Sequence, residues 1–388
     1  MKKVLCVVIV VLFLFSPNVK ETFAQGKPKA PLEERVDKAI DKGVDYLKDK
    51  FKGKDFKGED AELVLLTLLH AGLDKNNKLV KKAAKDVLSK KMIATYNVGV
   101  LAMALEELDA LEYQDKIAEC AQFLVDSQCK NGQWGYNCPE WKPALTKSGK
   151  KKAAVASGGE KTDEPAIGRI EIKPDPKGGE VGDNSNTQYA LLGLRSAANA
   201  NVVIPKETWE AAARFLESRQ LGDGGWCYSQ LFYNLNDDTS YGSITTAGLG
   251  GLCIAKFYLG VDIEKDGKIT SGKNWLTTNF KVDANPGAAN ANNVKDIVEK
   301  KFSQSIVYYY YMYGLERVGV FLKTDKFGTH DWYVEGAEYL LSQQEKEGKW
   351  GTGTTETCLA ILFLKRATRP LKPVESGLPL KEPVPQDK

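Results

Sequence analysis

The chain has 388 residues, 43% of them hydrophobic, with 54 Lys and Arg against 51 Asp and Glu. That share of apolar residues supports a large buried core, and the near balance of charge offers no clustered basic face for nucleic acid. With only His70 and His330 present, a histidine-based metal site or a Ser-His-Asp triad lacks its raw material, so no metal and no cofactor is expected.

The first residues read as an export signal. Lys2 and Lys3 are followed by the apolar run "VLCVVIVVLFLF" at 4–15, then Ser16 and Pro17. The small residues near Ala24 suit a signal peptidase, and twelve apolar residues are short for a bilayer span. Residues 1–24 are therefore expected to be a cleaved signal peptide, and the mature protein to be periplasmic or secreted. No later stretch is apolar enough to cross a membrane.

Helical patterns then alternate in character. "ERVDKAIDKGVDYLKDKF" is apolar on one face only, whereas "EDAELVLLTLLHAGL" is apolar almost all round. The pairing recurs along the chain about six times, and its fourth and sixth second members are "GSITTAGLGGLCIAKFYLG" and "TTETCLAILFLKRA". Units of this kind bury their faces only by stacking on neighbours. The more apolar member of each pair suits an inner ring, wrapped by an outer ring. The expected fold is all-α, a single α/α toroid formed by 32–138 and 184–368. Residues 139–183, rich in Lys, Gly, Pro and Glu, are expected to be a disordered or flexible insertion. The Pro-punctuated tail, 369–388, is expected to be extended.

Polar residues gather at the starts of the presumed inner helices: Asp60 and Glu62, Thr95 and Asn97, Asn184, Asn186 and Gln188, Thr245 and Thr246, Thr355 and Glu356. N-capping accounts for many such residues, and a common mouth would collect the rest. Tyr309, Met312, Tyr313 and Glu316 share a face of "YYYYMYGLERVG". Tyrosines there would line the ring or fill the core. Asn184, Asn186, Gln188, Tyr309, Tyr313, Glu316 and Glu356 are thus the candidate ligand-binding residues. Beyond Cys6 in the leader, six cysteines remain, with no CxxC pair. Cys129 and Cys138 flank one turn and either close it as a disulfide or stay as free buried thiols.

One turn motif occurs three times. Gln128, Gly132 and Trp134 are matched by Gln220, Gly224 and Trp226, and by Gln344, Gly348 and Trp350. Each set follows an aromatic-leucine pair: Phe123-Leu124, Phe215-Leu216 and Tyr339-Leu340. This pattern resembles the glutamine-tryptophan repeat of the squalene cyclase and prenyltransferase superfamily, and it implies an α/α toroid. The expected roles are structural: glycine turns the backbone, tryptophan packs on the next repeat, and glutamine bonds open helix ends.

The enzymatic motifs of that superfamily are incomplete. Its cyclases protonate an alkene with an Asp-x-Asp-Asp motif, and a carboxyl held neutral by its surroundings can act as such an acid. The nearest match is "NLNDDTSYGS", where Asp237 and Asp238 precede Thr239 but Leu235 replaces the first aspartate. Zinc ligation of the prenyltransferase kind finds Cys358 and His330 but no matching aspartate. The chain is also short for a cyclase built of two helical barrels. The expectation is an exported, cyclase-like protein without catalysis that binds an apolar or polymeric ligand, or an envelope protein, through the ring mouth. A divergent terpenoid cyclase using Asp237 or Asp238 as acid, and a structural docking protein, are the alternatives.

Overall fold

The computed structural model describes residues 30–56, 58, 60–142, 168–228, 239–288 and 304–372. The leader, Asp237, Asp238 and most of the proline-rich tail lie outside these residues. The unit that begins at Leu32 contains twelve described helices. Outer helices are α1 (Leu32–Phe51), α3 (Lys78–Leu88), α5 (Gln114–Asp126), α7 (Lys206–Arg219), α9 (Gly267–Asn279) and α11 (Trp332–Gln343). Inner helices are α2 (Ala61–His70), α4 (Thr95–Asp109), α6 (Asn184–Asn199), α8 (Gly242–Tyr258), α10 (Gln304–Phe321) and α12 (Thr354–Leu364). Each outer helix keeps one apolar stripe, as in α3 with Val80, Ala83, Ala84 and Val87 buried. The inner helices are buried on nearly every side, as in α8 from Gly242 to Lys256.

The inner helices pack in cyclic order, α2 on α4, α4 on α6, α6 on α8, α8 on α10, α10 on α12, and α12 back on α2. They run parallel, because starts meet starts and ends meet ends. Thr355 donates to Asp60 at 2.6 Å and Asn97 to Glu62 at 2.9 Å, all near helix starts. Asn199 donates to Glu106 at 2.8 Å near two helix ends. The result is a closed α/α toroid with two distinct mouths. In the outer ring, Arg35 of α1 reaches Glu338 of α11 at 2.8 Å across the seam.

The three Gln-Gly-Trp turns share one geometry. Gly132, Gly224 and Gly348 have φ of 94°, 92° and 90°, a region costly for any residue with a Cβ. A Cβ there would lie 2.3, 2.5 and 2.4 Å from the carbonyl oxygens of Ala211, Ser271 and Lys42. The turn thus sits directly on the backbone of the next outer helix. The glutamine amide donates to the glycine carbonyl of its own turn and to the neighbouring helix: Gln128 to Thr208, Gln220 to Lys268, and Gln344 to Ala39. These acceptors lie within helices, where the sequence had suggested open helix ends.

The tryptophans are fully buried. Each indole N–H donates to the leucine carbonyl ten residues earlier, Leu124, Leu216 or Leu340, at 2.6–2.9 Å. Each Trp backbone N–H donates to a threonine hydroxyl on the paired inner helix, Thr187, Thr245 or Thr357. Thr245, grouped with the mouth residues on sequence grounds, belongs to this clasp. Side-chain capping explains less than expected. Among the described inner-helix N-caps only Asp183 accepts a cap hydrogen bond, and those of α2, α4, α8 and α12 do not.

The insertion departs from expectation over its described part. Residues 168–183 pack against the ring rather than lying loose. Strand β1 (Ile170–Glu171) pairs in parallel with β2 (Val202–Val203). The backbone N–H groups of Lys177 and Gly178 donate to the Asp126 carbonyl at 2.6 and 3.0 Å. The Asp126 carboxylate accepts from the Asp175 N–H at 2.7 Å and from the Trp141 indole at 3.0 Å. The anchor is therefore polar, which a count of large apolar residues does not detect.

Candidate functional site

The mouth at the inner-helix starts holds most of the expected polar residues, but several are engaged in the scaffold. Asn184 donates to the Cys227 carbonyl at 2.8 Å and accepts from Gln133 at 3.3 Å. Asn186 is bound through its N–H and side-chain amide to Asp183. Glu356 accepts from the Thr352 hydroxyl at 2.5 Å in its own turn. These three stabilise the rim and do not present themselves to a ligand. Glu62 is neutralised by Lys90 at 2.7 Å. Asp183, missed as a site residue, is buried, and burial pushes its carboxyl up to about 6 against the hydrogen bonds from Asn186.

Tyrosines occupy the axis below this rim. Tyr96 meets Tyr189 edge-on at 4.5 Å, and Tyr189 faces Tyr310 at 6.0 Å. The Tyr310 hydroxyl donates to Gln188 Oε1 at 2.5 Å. Tyr96 and Tyr310 stay half-buried although they start on inner helices, which places their free surface in the bore. The expected stripe on α10 is rotated. Tyr309 packs beside Tyr308 at 4.9 Å, away from this cluster, whereas Tyr310, Tyr313 and Arg317 come together with Tyr189. The spacing i, i+3, i+7 of residues 310, 313 and 317 was the available signal.

Arg317 lies at the bottom of the cluster, 1% exposed. Its guanidinium stacks 4.1 Å from the Tyr313 ring centre and 5.6 Å from that of Tyr189. None of its Nε, Nη1 and Nη2 atoms makes a hydrogen bond. Burial raises the Tyr189 hydroxyl, and Arg317 opposes that rise both by its charge and by a contact with that hydroxyl that falls short of good hydrogen-bond geometry. Glu316 does not pair with Arg317 by hydrogen bonding. Its carboxyl accepts from the Thr368 N–H at 3.0 Å and hydroxyl at 2.6 Å, from the chain beyond α12. Burial lifts Glu316 to about 7.

The opposite mouth, at the inner-helix ends, is stoppered by residues 367–369. A cavity of about 20 Å³ remains there, walled by His70, Glu107, Arg195, Ser196, Thr368 and Arg369 among others, which is room for about one water. Arg195 donates to the Arg369 carbonyl at 2.7 Å, while its Nε and the Ser196 hydroxyl have no partner. Burial first, then the charges of Arg369, Arg195 and Lys365, lowers His70 to about 4 despite Glu107.

Among the described residues, no three His, Cys, Asp or Glu side chains are placed to hold a metal ion. Cys120, Cys129, Cys138, Cys227, Cys253 and Cys358 are all buried and none forms a disulfide, so Cys129 and Cys138 are not joined. Burial pushes the Cys120 thiol up to about 12 and raises Cys358 as well, which disfavours a nucleophilic thiolate at either position. No helix among the described residues is long and apolar enough to cross a membrane.

No family model matches the sequence, and none of the curated proteins does. Solved structures do match in shape. A variant of the type II terpene cyclase MstE from Scytonema, in complex with the substrate geranylgeranyl dihydroxybenzoate, superposes with a TM-score of 0.50 at 10% identity. The match covers 87% of this chain and 97% of that one. A second MstE variant without ligand gives the same TM-score and identity over 98% of its length. At this identity the likeness establishes a terpene-cyclase-like fold.

Proposed function

We propose that this protein is an exported, non-catalytic toroid of terpene-cyclase-like fold that binds a ligand through the mouth at the inner-helix starts. The observation that carries this reading is Arg317. A type II cyclisation runs through carbocations, which aromatic faces in a dry cavity stabilise. Here the faces of Tyr313 and Tyr189 are already taken by a guanidinium. A permanent positive charge at that depth repels a second one, strongly so where water is excluded. Among the described residues, the mouth above it offers partly open tyrosines. Export rests on the basic, then apolar, leader.

The test is turnover. Purified protein incubated with squalene, with a geranylgeranyl aryl acid and with polyprenyl substrates is expected to return them unchanged. Cyclised product that disappears in Asp237→Asn would overturn the reading.

The fold favours a second reading, a divergent cyclase with Asp237 or Asp238 as acid. The MstE variants are matched over nearly their whole length, so the modest size of this chain no longer speaks against cyclase chemistry. If Asp237→Asn and Asp238→Asn both kept any product formation seen with wild type, that mechanism would be excluded.

A further inference from the structure

We propose that the bore is a binding site for an organic monocarboxylate, whose two oxygens fork onto the Arg317 guanidinium while its apolar body lies among Tyr96, Tyr189 and Tyr310. This rests on the reading that the mouth binds a ligand, and it names the ligand's chemistry and the residue that receives it.

The starting point is an imbalance. A guanidinium carries five N–H donors and is never deprotonated in a protein. Arg317 is buried with none of its three nitrogens hydrogen-bonded. Ring faces at 4.1 and 5.6 Å repay part of its lost hydration but leave the in-plane donors unused. The neighbouring carboxyl of Glu316 is turned away to Thr368 and is bound there twice. The molecule thus keeps a charged fork buried with its in-plane donors unfilled, while the Glu316 carboxyl and the Tyr189 hydroxyl act on it only electrostatically or at poor geometry.

The direction of the fork follows from the helix. Long side chains on a helix lean back toward its start, and Arg317 lies over Tyr313, one turn earlier. Arg317 thus leans toward the helix start, the end at which Tyr96 and Tyr310 keep accessible surface. The other mouth is closed to it by residues 367–369.

Charge and shape narrow the class. One unpartnered guanidinium matches one negative charge, and a planar two-oxygen group matches its fork. The parallel inner helices point their positive ends at this mouth, which helps an anion to approach but decays within the first turn. The Asp60 carboxylate at the rim, which accepts from Thr355, opposes a multiply charged anion. A bare inorganic ion gains nothing from the tyrosines. A carboxylate on an apolar or aromatic body gains from both.

The experiment uses the full mature chain and three probes: phenylacetate, its neutral analogue 2-phenylethanol, and inorganic phosphate. Phenylacetate is expected to raise the melting temperature saturably, at constant ionic strength, and the other two to raise it at least tenfold less at equal concentration. Arg317→Met is expected to melt no lower than wild type without ligand, because it removes an unpartnered buried charge, and to lose the phenylacetate shift. Arg317→Lys, which keeps the charge but not the fork, should need several-fold more phenylacetate. Crystals soaked in 4-bromophenylacetate provide a readout that needs no variant, with bromine expected inside the bore on the rim side of Arg317. Equal shifts from phenylacetate and 2-phenylethanol would overturn the carboxylate assignment and leave mouth binding standing. No shift from any probe, or bromine only on the outer surface, would overturn the assignment outright. Cyclised product in the turnover assay would instead remove the non-catalytic reading.

Discussion

At the scale of single residues, two kinds of buried group set measurable energetics. The first is the threonine that receives each clasp tryptophan. Thr187→Val keeps the shape but leaves the Trp134 N–H, 3.1 Å from that hydroxyl, buried without a partner. A loss of about 1–3 kcal/mol is expected, read by urea unfolding, and a change below a few tenths would show that the bond is dispensable. The second is Glu316, whose carboxyl burial lifts from 4.5 to about 7. Between those values the native state keeps a proton that the unfolded chain has lost. Stability from this group is therefore greatest below pH 4.5 and falls as pH rises through 7. Asp183, raised from 3.8 to about 6, acts in the same direction over a lower window. His70, lowered from 6.5 to about 4, acts in the opposite direction and loses stability as pH falls across that interval. Glu316→Gln removes one contribution, on the order of 3 kcal/mol, so its melting temperature should fall less than that of wild type between pH 5 and pH 8. Identical slopes would mean that Glu316 does not titrate as described.

At the scale of elements, the third clasp differs from the other two in where it lands. Gln344 and Gly348 engage α1, the first helix of the ring, through Ala39 and Lys42. Trp350 lies where a Cβ on Gly43 would be 2.8 Å from its ring. Gly348→Ala combines a costly positive φ with a backbone collision. It should destabilise by more than about 2 kcal/mol and should speed amide exchange in α1 and α11 before α6 or α7. Uniform acceleration around the ring would show that the seam is no weaker than the rest. The Gln-Gly-Trp spacing could be read from sequence because all of it falls within one turn. Its threonine partners could not. They lie 53, 19 and 7 residues beyond their tryptophans, since the loops between have unrelated lengths. The same limit hid Asp126, whose partners Trp141 and Asp175 come from an insertion that composition alone marked as loose.

At the scale of the whole molecule, alternation between one-faced and all-apolar helices implied an inner and an outer layer, while closure was read from the six pairs and from the Gln-Gly-Trp resemblance. The bore was harder to read. On α10, Tyr309 and Tyr313 are four residues apart and share a face in the abstract, yet the ring presents Tyr310, Tyr313 and Arg317 to the axis. The rotation of a helix inside a toroid is set by its two neighbours, and a single chain pattern does not contain it. Asp60 and Glu62 were found at the rim as expected, but Lys90, which neutralises Glu62, comes from just before α4 and carried no signal of its own.

Closure also constrains how such a protein can vary. An open stack of helical pairs gains or loses one at its end and merely becomes longer or shorter. In this ring each pair is a wedge of the circumference, and Gln344 must find Ala39 at the end of the circuit. Removing or adding a wedge would alter the curvature at every joint and the width of the bore together. Change in length is therefore channelled into connecting segments such as 139–183, while the wedge number stays fixed.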